Sequence, residues 1–229
     1  MVIQEILKRI SSELDLIVQS TISNNLVGIE SRVKELLDLY VDEASGGVRF
    51  VGICGMGKTT LVQVISKRIS GNFEATSFIA NVREETKNQS LISLQKQLLS
   101  MILMESTINI WNVSVGISVI ESRLCNKKVL IVLDDVDEIQ QLEALAGKCD
   151  WFGLGNRIIV ASRDSHLLRK HGVNHVYTTK GLNDDEALEL FSWRAFNKPR
   201  PKENFVALSM EFVSYAKGLP LALKFSVLH

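Results

Sequence analysis

The chain carries no surplus of charge and only a few cysteines, and both absences limit what it can be. Lys plus Arg and Asp plus Glu number 26 each, so no net charge draws the chain to nucleic acid or to an anionic membrane surface. Its three cysteines, Cys54, Cys125 and Cys149, form neither a disulfide framework nor a C-x-x-C metal site. This pattern favours free thiols in a reducing compartment.

Long apolar stretches are also missing. The longest uninterrupted apolar run, residues 129–133, has five residues, far fewer than the ~20 that a membrane-spanning helix requires. The N-terminal segment lacks the cationic and then apolar order of a secretory signal. Apolar residues nevertheless make up 46% of the chain, so we expect a soluble protein with a folded core.

Strands and helices alternate over most of the chain, which is typical of a parallel sheet covered by helices on both faces. Residues 105–120 carry no clear pattern and lead into a helix that ends near Cys125. An amphipathic helix is predicted over residues 2–18, and a second, short helix opens at residues 26–32. The predicted strands cover residues 48–51, 76–82, 129–133, 157–161 and 175–178, and the later helices residues 58–70, 90–104, 140–147 and 165–170.

From residue 181 the pattern changes to helices alone. Asn183 is a good N-cap for a helix with an acidic first turn, since side-chain oxygens and negative charge both stabilise a helix N-terminus. A further helix is predicted over residues 203–217, and Pro220 begins another that the chain end cuts off. We therefore expect an incomplete helical subdomain over residues 181–229, preceded by an α/β domain over residues 26–180 and by a helix and linker over residues 1–25.

A glycine-rich motif, Gly52-x-x-Gly55-x-Gly57-Lys58-Thr59, joins the first predicted strand to the helix after it. It matches the pattern G-x-x-x-x-G-K-[ST]. In that pattern backbone N–H groups and the helix N-terminus cradle phosphates, lysine reaches the β- and γ-phosphates, and the hydroxyl binds Mg²⁺. One alternative is a glycine-rich turn ahead of an ordinary helix. A dinucleotide-binding fingerprint fails because Thr60 stands where a third glycine is needed.

A second motif, KKVLIVLDDVD at residues 127–137, is an apolar strand that ends in carboxylates. Ligands bind at the carboxyl ends of strands in open α/β sheets, where a carboxylate can hold the Mg²⁺ that Thr59 also touches. We therefore assign Thr59 and Asp134 to a metal site and expect Asp135 to orient or deprotonate an attacking water. The alternative is a solvated acidic strand end.

Arg163 follows the strand predicted over residues 157–161. A cation at this end of the sheet can contact a γ-phosphate and sense its loss. The alternative is that Arg163 is an ordinary surface arginine. We expect this strand to lie between the P-loop strand and the Asp134 strand, the layout of ATPases with an inserted strand. The guanine-reading sequence N-K-x-D is absent, so a guanine nucleotide is not expected.

Six blocks follow one another along the chain: LVGIESRV (26–33), SFIANVRE (77–84) with LQKQLLS (94–100), LIVLDDVD (130–137), GNRIIVASRDSHLL (155–168), GLNDDEALELFSWRAF (181–196) and YAKGLPLALK (215–224). In this order they resemble the nucleotide-binding domain of plant disease-resistance proteins of the TIR-type NB-ARC/LRR class. Asp137 stands where the coiled-coil class usually has tryptophan, which favours the TIR type. The resemblance implies a P-loop NTPase of the STAND and AAA-like kind, with a parallel five-stranded sheet.

The resemblance also implies a function. Such domains are molecular switches of intracellular immune receptors, cytoplasmic or nuclear, that hold ADP at rest, exchange it for ATP and then assemble with like receptors. Hydrolysis is at most slow and resets the switch. The adenine would lie between the Val27–Gly28 backbone and Pro220. The remaining predicted nucleotide contacts are Gly52, Gly55, Met56, Gly57, Lys58, Thr59, Thr60 and Arg163.

The P-loop departs from this family. The family commonly reads GICGMGGIGKTT, whereas this chain reads GICGMGKTT, so the motif spacing survives only if Gly52 becomes the first glycine of the loop. We expect a loop that still binds phosphate. Two alternatives remain: a nucleotide-free interaction fragment, and a P-loop kinase or ATPase. A P-loop kinase or ATPase would need further phosphate-sensing arginines, and the sequence offers Arg163 as its one candidate.

Overall fold

The computed structural model describes residues 26–38, 46–173 and 175–225. These residues divide into two compact units, Arg32–Lys180 and a second unit made of residues 26–31 and 181–225. The amphipathic helix predicted over residues 2–18 lies outside the described residues.

A parallel sheet forms the centre of the Arg32–Lys180 unit. Its five strands are β1 Arg49–Gly55, β2 Ala75–Ile79, β3 Val129–Val136, β4 Arg157–Ser162 and β5 His175–Thr179. Their spatial order is β2-β3-β4-β1-β5, and every pairing is parallel. β4 therefore lies between β1 and β3, which confirms the predicted inserted strand and the P-loop NTPase layout.

The central strands are apolar because both faces of the sheet are covered. Every residue of β4 is buried, and so is every residue of β3 except Asp135. Such continuous Val, Ile and Leu runs are what a parallel sheet between two layers of helices requires. Ile131, Leu133 and Ile158 belong to the large core cluster of this unit. The core thus fixes the ends of β3 and β4, from which the candidate site residues follow.

Helices precede or connect these strands, and most lie close to their predicted bounds. The patternless segment before Cys125 becomes a loop that ends at Asn112, whose side chain accepts a hydrogen bond from the Val115 N–H at 2.8 Å and caps the next helix. The helices are α1 Ile29–Leu36, α2 Lys58–Ile69, α3 Val82–Asn88, α4 Leu91–Leu103, α5 Val113–Leu124, α6 Ile139–Ala146 and α7 Ser165–Lys170.

The prediction that the first strand ends before Gly52 is wrong. β1 continues to Gly55, and Gly52 lies inside the strand, opposite Val160 on β4 and Val176 on β5. A Cβ atom on Gly52 would lie 2.7 Å from Cδ1 of Leu168 on α7. The missing side chain of Gly52 therefore lets α7 pack closely on the sheet, and Gly52 is not the first glycine of the loop.

The second predicted strand is too long. β2 ends at Ile79, and α3 begins at Val82, a residue that the prediction had given to the strand. Asn81 turns the chain between them with a φ of 51°, a left-handed conformation that asparagine tolerates better than most residues. Val82 is fully buried in the core, so its apolar character reflects burial rather than extended structure.

The second unit is helical, as predicted. The Asn183 side chain accepts a hydrogen bond from the Glu186 N–H at 2.8 Å, and the Glu186 carboxylate accepts one from the Asn183 N–H at 3.1 Å, which makes a capping box. The rings of Phe191 and Phe212 stack in its core with centroids 5.4 Å apart. Its helices are α8 Asp184–Phe196, α9 Val206–Ala216 and α10 Pro220–Phe225. Within the described ranges, no helix has the length and apolar character needed to cross a membrane.

Candidate phosphate-binding site

The turn between β1 and α2 is short. β1 ends at Gly55, and only Met56 and Gly57 separate it from Lys58, the first residue of α2. The phosphate-binding pattern has four residues between its first glycine and the glycine before lysine, whereas Met56 alone lies between Gly55 and Gly57. Counted from the end of the strand, the loop is therefore three residues shorter than the pattern.

Thr179, at the end of β5, braces this turn. Its hydroxyl lies 3.0 Å from the Cys54 carbonyl oxygen and 2.5 Å from the Met56 carbonyl oxygen, so it is a shared donor to the backbone on both sides of Gly55. Gly55 has a φ of 96°, and a Cβ atom there would lie 2.3 Å from the Thr179 carbonyl oxygen. Only glycine fits this close approach. Thr179 was not predicted as a site residue, and its one sequence signal is its position at the end of a strand.

The start of α2 suits an anion. Gly57 is its N-cap, with φ 73° and ψ 10°, and neither a side-chain cap nor an acidic residue is present in the first turn. The first N–H groups of a helix lack intrahelical acceptors and carry its positive end. A Cβ atom on Gly57 would meet nothing within 4 Å, so open space adjoins these donors. Lys58 is nearly buried and Thr60 half-buried, and these residues fit a phosphate group.

A hydrogen bond between Thr59 and Asp134 connects α2 to β3. The Thr59 hydroxyl donates a hydrogen bond to Oδ1 of Asp134 at 3.1 Å. Burial raises the pKa of the Asp134 carboxyl, the hydrogen bond from Thr59 and the charge of Lys58 oppose the rise, and the charge of Asp135 adds to it. A hydroxyl and a carboxylate are ligands that Mg²⁺ prefers, so this pair fits that ion.

The metal pair is incomplete by itself. Among the described residues, no group of three or more His, Cys, Asp or Glu side chains could hold a metal ion. Mg²⁺ at phosphate sites takes one or two protein ligands and completes its octahedron with waters and phosphate oxygens. Thr59 and Asp134 match that arrangement rather than a cage made by protein alone.

A β-bulge directs two successive carboxylates towards α2. Leu133 pairs with Val160 and Val136 with Ser162, so β3 carries one more residue than β4 over this interval. Neighbouring residues of a regular strand point to opposite faces. Here Asp135 has a φ of 58°, and the extra residue lets both acidic side chains reach α2.

Three cations surround the Asp135 carboxylate. Lys58 Nζ lies 3.4 Å and Arg163 Nε 3.2 Å from Oδ1, and Arg83 Nε lies 3.4 Å from Oδ2. Asp135 and its neighbour Asp134, which also interacts with the Lys58 charge, bring two negative charges to these three cations, so the cluster keeps one net positive charge and attracts anions. The structure thus brings the predicted residues Lys58, Asp135 and Arg163 together. It adds Arg83, which the sequence analysis missed.

Three further predicted residues belong to the other unit. Val27 packs against its apolar cluster, Gly28 has a φ of 71° with a carbonyl that accepts a hydrogen bond from the Ser31 hydroxyl at 3.2 Å, and Pro220 is the first residue of α10. Their adenine-binding role stays a prediction.

Comparison with known families decides the class of this protein. The NB-ARC domain matches residues 29–200. The chain belongs to the NB-ARC family. It is 46% identical over 204 residues to disease resistance protein RPV1 of Vitis rotundifolia, an alignment that covers 87% of this chain and 14% of that protein. It is 42% identical over 239 residues to TMV resistance protein N of Nicotiana glutinosa, covering 99% of this chain and 20% of that protein.

These relatives confirm the predicted resemblance to plant disease-resistance proteins, and similarity to the N protein supports the TIR-type class. The chain spans one fifth or less of the length of these relatives. A solved structure of Cdc6p from Pyrobaculum aerophilum has a TM-score of 0.63 at 12% identity, over 86% of this chain and 60% of that one. That likeness supports the fold alone. Family and P-loop NTPase fold together imply nucleotide binding.

Proposed function

We propose that this chain is the ADP- and ATP-binding switch domain of an intracellular plant immune receptor that acts in defence against pathogens. The observation that carries the proposal is the edge of the sheet where the N-terminus of α2, the Thr59–Asp134 pair and three cations on Asp135 converge. This edge combines N–H donors, excess positive charge and oxygen ligands. A nucleoside di- or triphosphate with its metal ion needs these three features.

Each residue of the loop has a role in this proposal. The backbone N–H groups of residues 55–60 bind phosphate oxygens, and the Lys58 ammonium turns from Asp135 to the β- and γ-phosphates. Thr59 and Asp134 hold Mg²⁺, which neutralises phosphate charge when bound. Val27, Gly28 and Pro220 flank the adenine.

The proposed switch depends on a difference in affinity between two states. A ligand changes a conformational equilibrium only as far as its affinity for the two conformations differs. Arg163 is the proposed contact that ATP makes and ADP lacks, because its side chain is 69% exposed and forms an ion pair with Asp135. Slow hydrolysis, with Asp135 orienting or deprotonating the water, then resets the switch.

Self-association belongs to the activated state in this proposal. The ATP-bound domain assembles with like receptors through neighbouring nucleotide domains. Because the chain spans a fifth or less of its relatives, the activity and the partners of the whole receptor are part of the proposal.

The test is a titration of the purified chain with fluorescent ADP and ATP, with and without Mg²⁺, together with Lys58→Ala. The matched control is Lys67→Ala, an exposed lysine in the last turn of the same helix. Binding by the wild type that Lys58→Ala loses and Lys67→Ala keeps supports the proposal. Equal binding by all three proteins, or binding by none, would refute it.

A nucleotide-free interaction fragment is the second candidate. The short loop favours it, because Met56 and Gly57 alone separate β1 from α2 and offer fewer inward N–H groups than a full P-loop. Wild-type protein that binds neither nucleotide would select this candidate. Rapid multiple turnover of ATP would instead select a P-loop enzyme. Such an enzyme needs an additional arginine, and Arg83 could be that residue.

A further inference from the structure

Arg83 stands at the candidate phosphate site, although no role in the proposed function depends on it. Its Nε lies 3.4 Å from Oδ2 of Asp135, the carboxylate oxygen that Lys58 and Arg163 leave to it. Arg83 and Arg163 thus approach one carboxylate from its two oxygens. The side chain of Arg83 is 31% exposed, against 69% for Arg163, so it is the more enclosed of the two arginines.

The fold holds the backbone of Arg83 in place. It is the second residue of α3, and the residue before it, Val82, is fully buried in the core of the sheet unit. α3 also follows β2, whose last residue Ile79 pairs with Leu133 of β3. Arg83 therefore starts from the carboxyl edge of one strand, and Asp135 lies at the same edge of the next.

We propose that Arg83 is a second contact for the terminal phosphate, which exchanges the Asp135 carboxylate for the γ-phosphate of ATP. This inference rests on the proposed nucleotide-binding function. A guanidinium group binds carboxylate and phosphate oxygens with the same planar array of donors. The Asp135 carboxylate therefore occupies this array until a phosphate oxygen replaces it.

The charges at the site favour this exchange. Three cations share the Asp135 carboxylate, so this carboxylate neutralises each of them only in part. An incoming phosphate is therefore attracted by all three. ADP ends at the β-phosphate, which Lys58 and the start of α2 already serve in the proposed function. Arg83 lies on α3 and Arg163 follows β4, so neither arginine belongs to the loop or to α2. The γ-phosphate is the added charge that these two arginines would bind.

The experiment measures affinities for ADP and for ATP, both with Mg²⁺, in the wild type and in Arg83→Gln. The expected result is a loss of roughly tenfold or more in ATP affinity with ADP affinity nearly unchanged. Arg83→Lys keeps the charge and loses the planar donors, so it should shift the ATP to ADP ratio in the same direction by a smaller factor. Arg123→Gln is the control, because Arg123 also forms an ion pair, with Glu105, and is far along the chain on α5.

The outcomes separate the inference from the function on which it rests. Equal losses for ADP and ATP, or no loss for either, would assign Arg83 to a structural role and overturn the inference while nucleotide binding stands. Wild-type protein that binds neither nucleotide would overturn both. If Arg83→Gln lowers the melting temperature strongly, the ratio measured with Arg83→Lys decides, and an unchanged ratio in that variant counts against the inference.

Discussion

The Thr59 hydroxyl donates a hydrogen bond to Oδ1 of Asp134 at 3.1 Å, across 75 positions of sequence. The contact connects the first turn of α2 to β3, the strand that carries Asp134 and Asp135. It brings a hydroxyl and a carboxylate to the distance at which one Mg²⁺ ion could bind both. The proposed metal dependence of nucleotide binding therefore rests on this pair.

Thr59→Val tests that dependence. Valine keeps the shape of threonine and removes the oxygen, so Mg²⁺ loses one ligand and should strengthen ATP binding less. The gain in affinity on adding Mg²⁺ should fall by roughly tenfold. Titrations with ATP in Mg²⁺ and in a chelator measure the gain. Thr59→Ser keeps the hydroxyl and should keep the gain. An equal gain in Thr59→Val would exclude Thr59 as a ligand.

Thr179→Val tests the brace on the loop. The substitution leaves the carbonyl oxygens of Cys54 and Met56 without their donor, which should lower the free energy of unfolding by about 1–3 kcal/mol. The looser turn should also weaken ADP binding. Chemical denaturation and an ADP titration measure the two effects. Thr178→Val, at the exposed neighbouring position, should change neither, and similar values for both variants would refute the role of Thr179.

Lengthening the loop tests whether its shortness costs affinity. Inserting Gly-Gly-Ile between Met56 and Gly57 restores four residues between Gly55 and the glycine before lysine. The added N–H groups should strengthen ADP binding. Lys58→Ala in the lengthened protein should abolish the gain, since the gain requires the same phosphate site. Unchanged or weaker binding after insertion would mean that the short turn already makes the full set of contacts.

The lowered pKa of His171 should make the stability of the protein depend on pH. Burial lowers the pKa of His171, and the charge of Glu143 opposes the fall. Among the described residues its Nε2 has no hydrogen-bond partner. The unfolded chain therefore binds the proton more tightly. The contribution of neutral His171 to the free energy of unfolding is present above about pH 6.5 and is lost as the pH falls. The free energy of unfolding should change by at most about 1.4 kcal/mol per pH unit.

Urea denaturation between pH 7.5 and 5.5 measures that slope. His171→Phe keeps a ring beside Phe50, whose centroid lies 5.7 Å from that of His171, and should flatten the slope. His166→Phe replaces an exposed histidine of the same segment and should leave the slope as it is. An identical slope in wild type and His171→Phe would show that His171 does not set it.

The sequence was sufficient for the architecture, because strand runs such as residues 129–133 and the cap at Asn183 are local signals. It also identified the family. It failed where tertiary packing overrides local pattern. Gly52 looked like a loop glycine but lies in a strand against Leu168. Val82 looked like the end of a strand but is a buried helix residue.

The candidate site was predictable only in part. Lys58, Asp134 and Arg163 belong to motifs whose residue types match the chemistry of phosphate and metal binding. Arg83 was hidden because it follows Val82 at the start of an unpredicted helix. The bulge that turns Asp135 towards α2 depends on the pairing register of β3 with β4, which the sequence of one strand does not specify.

Calorimetric titration of the wild-type chain with ADP tests most directly whether the shortened loop is a phosphate site. Saturable binding of one nucleotide per chain is the expected result. Lys58→Ala should weaken it by at least about tenfold through loss of a charge-assisted contact, and Lys67→Ala should not. Absence of binding in the wild type, or equal affinity in Lys58→Ala, would show that the shortened loop is not the phosphate site.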